Sequence, residues 1–489
     1  MLQVCKCQQQ DSLFTIFSVP VSNYPLRNLV FDEEDNSIFF SGKNVLYKFD
    51  WAADNVSPLT RRVTGPRADC FGEEDLDIKY CGDNENTVLV VTPKYLITCG
   101  TLFGGRCMKR DKETLFETSP SSAFIQLVSD IDAPAVGKLL NISVNDSREN
   151  KLIILFAKMY TPLPIAPTKL SRAAIFSVSQ DLQGRVFLHT LNEESIFDIF
   201  IKEETVQDSI KLDYRAILES DNFTYILVNQ NKKPKLVKLC KQIDGINPKK
   251  VYEDIPLSCI TGTTEFTYVV HGAIAMVSDK TYLLALFKGP NGIYGVCVYQ
   301  ETEILKAFLL SRIDRYACPE HDLQPEDKIF DEAYNRKKCI NITSLTADNE
   351  PVSGIYEAFN EINFCNKVSN RISEFGMVIG LLPLKSTAVY TTDLPVSVIE
   401  SHVFNDNMIA FIGTEDGKLV KIYLDNNLSR ELLHIKVDDS KIMAIKKIHD
   451  EIYVMSKNKM YNKVGVFPRI EFLVTICKEQ MSEIDSWED

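Results

Sequence analysis

The chain has 489 residues, 45% of them hydrophobic and 25% charged, which leaves room for two or three domains or one large repeat array. Its 67 acidic residues outweigh 54 basic ones, for a net charge of −13, and no basic run is suited to tracking phosphates; this argues against nucleic acid as a partner. The longest mostly apolar run, "FGMVIGLLPL" at 375–384, is too short to cross a bilayer and contains a proline.

In chain order, Met1 is followed by "LQVCKCQQQ", which lacks the apolar centre of a signal peptide. "SLFTIFSVP" then reads as a lone strand. After it, pairs of short β-type runs joined by Gly, Asn or Asp turns recur. They are "SIFFSGKNVLYKFDW", "KYLITCGTLFGGRCMK", "KLIILFAKMY" with "AAIFSVS", "FTYILVNQNKKPKLVKLC", "TYLLALFKGPNGIYGVCVY", "MIAFIGTEDGKLVKIYL" and "EIYVMSKNKMYNKVGV". Their starts, near residues 37, 94, 151, 223, 281, 408 and 451, recur at roughly 60-residue intervals, with one gap about twice as long. Seven similar hairpins with little helical periodicity predict an all-β fold, a seven-bladed β-propeller. The lone first strand is expected to complete the last blade and remove its open edge. The long gap, with the charged "QPEDKIFDEAYNRKKC" and "PVSGIYEAFNEINFC", reads as an insertion extruded from the fifth-blade region. In "GTEDGKLVKI", Asp416-Gly417 is expected to form a two-residue hairpin turn.

Catalytic signatures are missing. The histidines (His189, His271, His321, His402, His434, His449) are scattered, and no nucleophile elbow or phosphate-binding loop occurs. "GTLFGG" has the wrong strand–turn–strand context to cradle a phosphate. The reading is of a non-enzyme without metal or cofactor. Cys5 and Cys7 have no second pair nearby, and Cys99 and Cys107 are too far apart in sequence for a zinc knuckle.

The thirteen cysteines bear on compartment. Cys99 and Cys107 face one another across a predicted hairpin, where β-carbons fall within the roughly 4 Å that a disulfide needs. Two buried thiols in a cytosolic propeller fit that pair equally well. Cys70 and Cys81 tip the balance, because they bracket the acidic loop "CFGEEDLDIKYC", which has little apolar content to hold it. A clip there is worth roughly 2–3 kcal/mol. Cys240 and Cys259 flank "KQIDGINPKKVYEDIPLS", and Cys297, Cys318, Cys339 and Cys365 follow around the insertion, stapling places where the core is thin, as secreted proteins do. Six N-x-S/T sequons, at Asn55, Asn141, Asn145, Asn222, Asn341 and Asn427, are glycosylation candidates, several of them in polar stretches between apolar runs.

These residues resemble the sema domain, in its plexin type. "TGPRADC" with a following cysteine, then "DNENTVLVV" and "YLITCGTLFGGRC", is similar to the plexin stretch in which a cysteine pair precedes a cysteine-bearing hairpin. "KPKLVKLC" and "IPLSC", then "GIYGVCVY", "RYACPE", "KKCINI" and "INFCNK", match later plexin cysteines in order. "FIGTEDGKLVKIYL" resembles a family hairpin, and "EIYVMSKNKMYNKVGV" the closing strand pair. The resemblance runs from about residue 12 to 467. It implies a seven-bladed propeller over 12–470, with an insertion at about 298–365. It also implies disulfides joining Cys70 to Cys81, Cys99 to Cys107, Cys240 to Cys365, Cys259 to Cys297 and Cys318 to Cys339.

The same resemblance implies an extracellular head of a semaphorin receptor at the cell surface, with a semaphorin as protein ligand and a co-receptor as a further partner. Contacts are expected on loops of the third and fourth blades, roughly 130–220. The chain departs from the family in lacking a signal peptide and in running "KEQMSEIDSWED" after Cys477, where a small cysteine-rich module would begin; residues 471–489 therefore read as the truncated tail of a fragment. A soluble semaphorin-like ligand or decoy is the alternative, and an intracellular propeller scaffold, which would keep free thiols and no glycans, is a remote one.

Overall fold

The computed structural model describes residues 25–50, 60–66, 82–102, 107–118, 135–144, 150–158, 173–179, 197–201, 211–243, 252–316, 378–425, 428–448 and 451–461. Blade one is an antiparallel sheet of β1 (Leu26–Asp32), β2 (Ser37–Gly42), β3 (Val45–Asp50) and β4 (Thr60–Val63). Blade two holds β5 (Val88–Val91), β6 (Tyr95–Cys99) and β7 (Cys107–Asp111). Blade three holds β8 (Ala135–Val144), β9 (Asn150–Lys158), β10 (Ala173–Ser179) and β11 (Asp198–Phe200). Blade four is β12 (Leu212–Glu219), β13 (Phe223–Gln230), β14 (Lys233–Cys240) and, after the short β15 (Gln242–Ile243), β16 (Glu253–Thr261).

The short β17 (Thr264–Phe266) leads to blade five, which has β18 (Tyr268–Val277), β19 (Lys280–Lys288) and β20 (Tyr294–Gln300). Helix α1 (Glu301–Tyr316) and β21 (Val378–Ile379) precede its outer strand, β22 (Leu384–Thr392). Blade six is β23 (Val396–Phe404), β24 (Asn407–Thr414), β25 (Lys418–Asp425) and β26 (Leu428–Lys436). Blade seven has β27 (Ile442–Ile448), β28 (Glu451–Ser456) and β29 (Met460–Tyr461). All seven predicted hairpins are present. The expected closing strand, "SLFTIFSVP", lies outside the described residues.

The innermost strands touch in a closed cycle, β1 to β5, β8, β12, β18, β23, β27 and back to β1, which makes the fold a seven-bladed propeller. Apolar side chains fill the spaces between facing blades. Phe39 and Leu46 of blade one meet Leu89 and Leu96 of blade two. Phe40 and Tyr47, stacked at 4.8 Å, point the other way, toward Tyr453 and Met455 of blade seven. Because the sheets are covered on both faces, second strands are buried over most of their length, and every residue of β2 and of β13 is buried. Full burial of each such large side chain contributes about 1.5–3 kcal/mol.

The register shifts along five innermost strands, β1, β12, β18, β23 and β27, leaving Arg27, Arg215, Val270, Ser397 and Met443 as extra residues. A bulge sharpens the twist and re-aims its side chain. Three of these side chains reach the next blade: Arg27 Nε donates to Glu85 at 2.6 Å, Arg215 to Tyr268, and Ser397 Oγ to the Ile442 carbonyl at 2.6 Å. Other side chains satisfy inward-facing backbone in the same way. Asn229 donates to the Val269 carbonyl and accepts its N–H, both at 2.8 Å; Ser401 donates to Ile274 at 2.5 Å; His271 Nδ1 lies 3.1 Å from the Ile399 carbonyl.

Blades four and five are fused at their outer edges. β22 begins by pairing parallel with β16, Leu384 through Thr387, then pairs antiparallel with β20 from Ala388 onward. The Cys259–Cys297 disulfide joins β16 to β20 where β22 changes partner. Helix α1, absent from the sequence reading, packs against β16 and β19–β22 through buried Ile304 and Phe308. Beneath it Lys238 and Glu253, both fully buried, pair at 2.7 Å, and Lys238 lies 4.9 Å from the Phe308 ring.

The hairpin at 414–418 differs from the expected two-residue turn. Three residues, Glu415 to Gly417, separate the strands, and Gly417 alone among them has positive φ, +81°. Thr414 Oγ1 accepts from the Lys418 N–H at 2.8 Å and donates to Asp416 at 2.5 Å, which favours the longer turn closed by a left-handed glycine.

Candidate protein-interaction surface

Successive antiparallel strands divide the blade connections between two ends of the propeller. One end carries the second-to-third strand turns and the crossings from one blade to the next. At blades one and two it is built from Asp83-Asn84-Glu85-Asn86. Asn44, in the left-handed conformation of its turn, accepts from the Asn84 N–H at 2.6 Å and donates to Asp83 at 2.7 Å. Asn84 Oδ1 accepts from the Thr101 N–H at 3.1 Å, and Asn86 Nδ2 donates to the Gly42 carbonyl at 2.7 Å and to Thr64 Oγ1 at 3.0 Å. Asn28 Nδ2 reaches the carbonyls of Asn86 and Thr87, both at 2.9 Å. Hydrogen bonds from Lys43 and Asn44 hold the Asp83 carboxyl below its ordinary pKa.

The same end of blades six and seven has a second network. Asp438 accepts from Ser456 Oγ at 2.5 Å and Ser440 Oγ at 2.7 Å, and the Asp438 N–H donates to the Gly417 carbonyl at 3.0 Å. Burial opposes ionisation of Asp416, but hydrogen bonds from Lys418 and Thr414 together keep its pKa lowered. The ring is tied here as well, since the Leu26 N–H donates to the Lys457 carbonyl at 2.7 Å. Blade four contributes the exposed turn Asn231-Lys232, both residues at positive φ. Among the described residues, this end is thus a set of turns fixed by hydrogen bonds and by ion pairs such as Lys43–Asp83 and Lys441–Glu415, a surface that loses little entropy when a protein binds it.

The opposite end carries the first-to-second and third-to-fourth connections, and ion pairs anchor it as well. Lys112 of blade two bridges Asp32 at 2.7 Å and Asp35 at 2.6 Å in blade one. Burial alone would lower the Lys112 pKa, yet the two carboxylates outweigh it and raise it, while the Lys112 hydrogen bond lowers that of Asp35. Between blades three and four, Glu219 meets Lys138 at 3.2 Å and Lys241 at 3.4 Å. The insertion leaves from this end too, with Tyr225 OH donating to Glu301 of α1 at 2.9 Å.

Cys99 and Cys107 are directly opposed in the β6–β7 pairing and are disulfide-bonded, as are Cys259 and Cys297. Cys240 is disulfide-bonded; Cys365, its expected partner, lies outside the described residues, as do Cys70, Cys81, Cys318 and Cys339. Of the sequon asparagines, Asn141 is exposed on β8 and Asn222 is exposed in the β12–β13 turn; Asn55, Asn145, Asn341 and Asn427 lie outside the described residues. Much of the 130–220 loop region also lies outside them. The described histidines stand apart in three places: His271 on β18, His402 on β23 and His434 on β26. Among the described residues no helix is long and apolar enough to cross a membrane.

Asn28, Asn84, Asn86 and Asp438, which build the hydrogen-bonded end, went unmarked in the sequence reading. The only cue there was a polar "DNEN" run beside a strand, a pattern shared with ordinary solvated turns.

No protein-family model matches the chain. Mouse plexin-A4 is 24% identical over 493 residues, an alignment covering 92% of this chain and 25% of the relative. Human plexin-A2 is 21% identical over 520 residues, covering 96% and 26%. The chain is homologous to plexin-A4 and plexin-A2. It spans about a quarter of the length of these curated relatives. The solved plexin A4 extracellular region superposes with a TM-score of 0.69 at 19% identity, over 93% of this chain and 40% of that one. Drosophila Semaphorin 2a superposes at 0.58 and 14% identity, over 92% and 75%. Both comparisons agree with the closed ring of blades: the fold is the β-propeller of sema domains.

Proposed function

We propose that this chain is the ligand-binding head of a plexin-like receptor, acting outside the cell by recognising a semaphorin. The observation that carries this reading is the homology to plexin-A4, which extends over 92% of the chain. The higher superposition on the plexin A4 extracellular region than on Semaphorin 2a favours the receptor over the ligand side of the pair. Rigid turns over a buried core suit a docking surface of the usual 1,200–2,000 Å² (about 800 Å² per partner) and supply binding in place of catalysis. Loops of blades three and four, within 130–220, are the proposed contact region, and a co-receptor is a proposed second partner. The remaining cysteine pairs, Cys70–Cys81, Cys240–Cys365 and Cys318–Cys339, are proposed disulfides of the secreted protein.

The test is surface plasmon resonance of the chain, secreted behind an added signal peptide, against panels of semaphorin and plexin ectodomains. Saturable binding to a semaphorin and to no plexin supports the receptor reading. Binding to plexins alone makes the chain a ligand. Free thiols at the proposed pairs, by titration of the native protein, would return it to the intracellular alternative.

A further inference from the structure

Among the described residues six lysines are buried: Lys48, Lys112, Lys158, Lys235, Lys238 and Lys421. Lys48 meets Glu113 at 2.6 Å, Lys112 meets Asp32 at 2.7 Å, Lys235 meets Asp254 at 3.4 Å and Lys238 meets Glu253 at 2.7 Å. Lys421 lies 5.8 Å from the Phe411 ring. Lys158 is the exception: 7% exposed, it makes no hydrogen bond, ion pair or ring contact among the described residues. A buried charge is costly unless a counter-charge answers it, so an unanswered one calls for a group from outside.

Lys158 is the last residue of β9, opposite Ala135 at the start of β8, at the end of the propeller that carries the second-to-third strand turns. Alternation along β9 sets it on the face of Ile154 and Phe156, which pack with Val88, Val90 and the Cys99–Cys107 disulfide of blade two. The two blades approach closely there, since a β-carbon on Gly137 would lie 2.6 Å from Val88 Cγ1. Burial with no answering carboxylate lowers the Lys158 pKa from 10.5 to about 8, so the amine is still mainly an ammonium at pH 7.

We infer that Lys158 is the receptor for a carboxylate side chain, aspartate or glutamate, of a protein partner that docks at this end of blades two and three. The long methylene stem lets the amine turn outward to the carboxylate while the stem keeps its apolar contacts. Pairing there relieves the unanswered charge of the free protein, and a charge pair shut away from water by its surroundings is slow to separate. A sulfated polysaccharide would need a row of exposed cations, whereas one ammonium beside apolar walls suits a single carboxylate on a short stem. The inference rests on the receptor reading above and adds one named contact to its 130–220 region.

The experiment uses the secreted full chain as wild type, as Lys158→Met, which keeps an apolar stem and removes the charge, and as Lys94→Met, a change at an exposed lysine in the β5–β6 turn of the other end. Losing an unanswered buried charge should leave the melting temperature of Lys158→Met at or above that of wild type. Surface plasmon resonance against the semaphorin ectodomain panel should show its binding weakened by about tenfold or more, mainly through faster dissociation. Lys94→Met is expected to bind within about twofold of wild type. A smaller loss in Lys158→Met, or an equal loss in Lys94→Met, overturns the inference. So does a melting temperature for Lys158→Met well below wild type, since the chain itself would then already answer the ammonium. If no semaphorin binds wild type, the receptor reading fails by itself, and a glutamate decapeptide serves as the carboxylate probe. A rise in melting temperature for wild type and not for Lys158→Met then supports the assignment; no rise, or a rise with heparin alone, overturns it.

Discussion

Replacing Asn229 by Leu tests how the blades are held to one another. Asn229, buried on β13, joins blade four to blade five by holding both backbone polar groups of Val269 at 2.8 Å. Leucine has a similar size but no polar atoms, so it strands a buried N–H and a buried carbonyl together. At about 1–3 kcal/mol per stranded group, the loss is about 2–6 kcal/mol. A seven-bladed ring need not unfold in a single step, so a local readout is better than a global one. Hydrogen exchange of the Val269 amide is expected to accelerate about thirtyfold or more, alongside a lower urea midpoint. Asn229→Asp separates the two groups, because a carboxylate can still accept from the Val269 N–H but sets an oxygen against the Val269 carbonyl. Its amide should stay protected while stability falls, and acidification that protonates the carboxyl should recover part of the loss. An Asn229→Leu protein within about 0.5 kcal/mol of wild type, with Val269 still protected, would refute this account of the ring.

Three further outcomes follow from particular residues. Burial first and the Lys446 charge second push the His271 pKa down from 6.5 to about 4, with Arg215 adding to the shift and the Ile399 carbonyl opposing it. The unfolded chain binds this proton more readily, so the contribution is whole above pH 6.5 and is lost as pH falls through about 4. The ring is partly exposed and solvent screening trims the effect to roughly 2 kcal/mol; urea titrations from pH 7 to pH 4 should show a shallower fall for His271→Gln. Removing Cys259–Cys297, with a sequence separation of 38, should cost about 4 kcal/mol, against about 2.5 kcal/mol for Cys99–Cys107 with a separation of 8; equal urea midpoints for the two Cys→Ser double variants would contradict the loop-closure ordering. Gly417→Ala places a β-carbon 2.1 Å from the Asp438 carbonyl oxygen at a positive-φ position, so a loss of at least about 2 kcal/mol is expected in thermal melts.

The seven hairpins were legible in the sequence because each is a local object. Alternating or continuous apolar runs separated by a turn residue state a strand pair within about twenty residues, and their regular recurrence states a repeat. The Cys99–Cys107 pair was equally local, since hairpin register sets those two residues opposite one another. What the sequence could not state is how distant segments meet. Tertiary structure alone decides that β22 changes partner between β16 and β20, and that α1 lies over a buried Lys238–Glu253 pair. It also decides that Asn229 serves a backbone in another blade, and that the Lys241 backbone ties β8 to the β12–β13 turn. Each of these depends on contacts between residues far apart in the chain, where a polar or charged residue looks the same whether it ends in solvent or between two sheets. Local periodicity fixes the blades, and only the closing of the ring, which brings their inner edges and ends together, fixes which residues become joints and which remain surface.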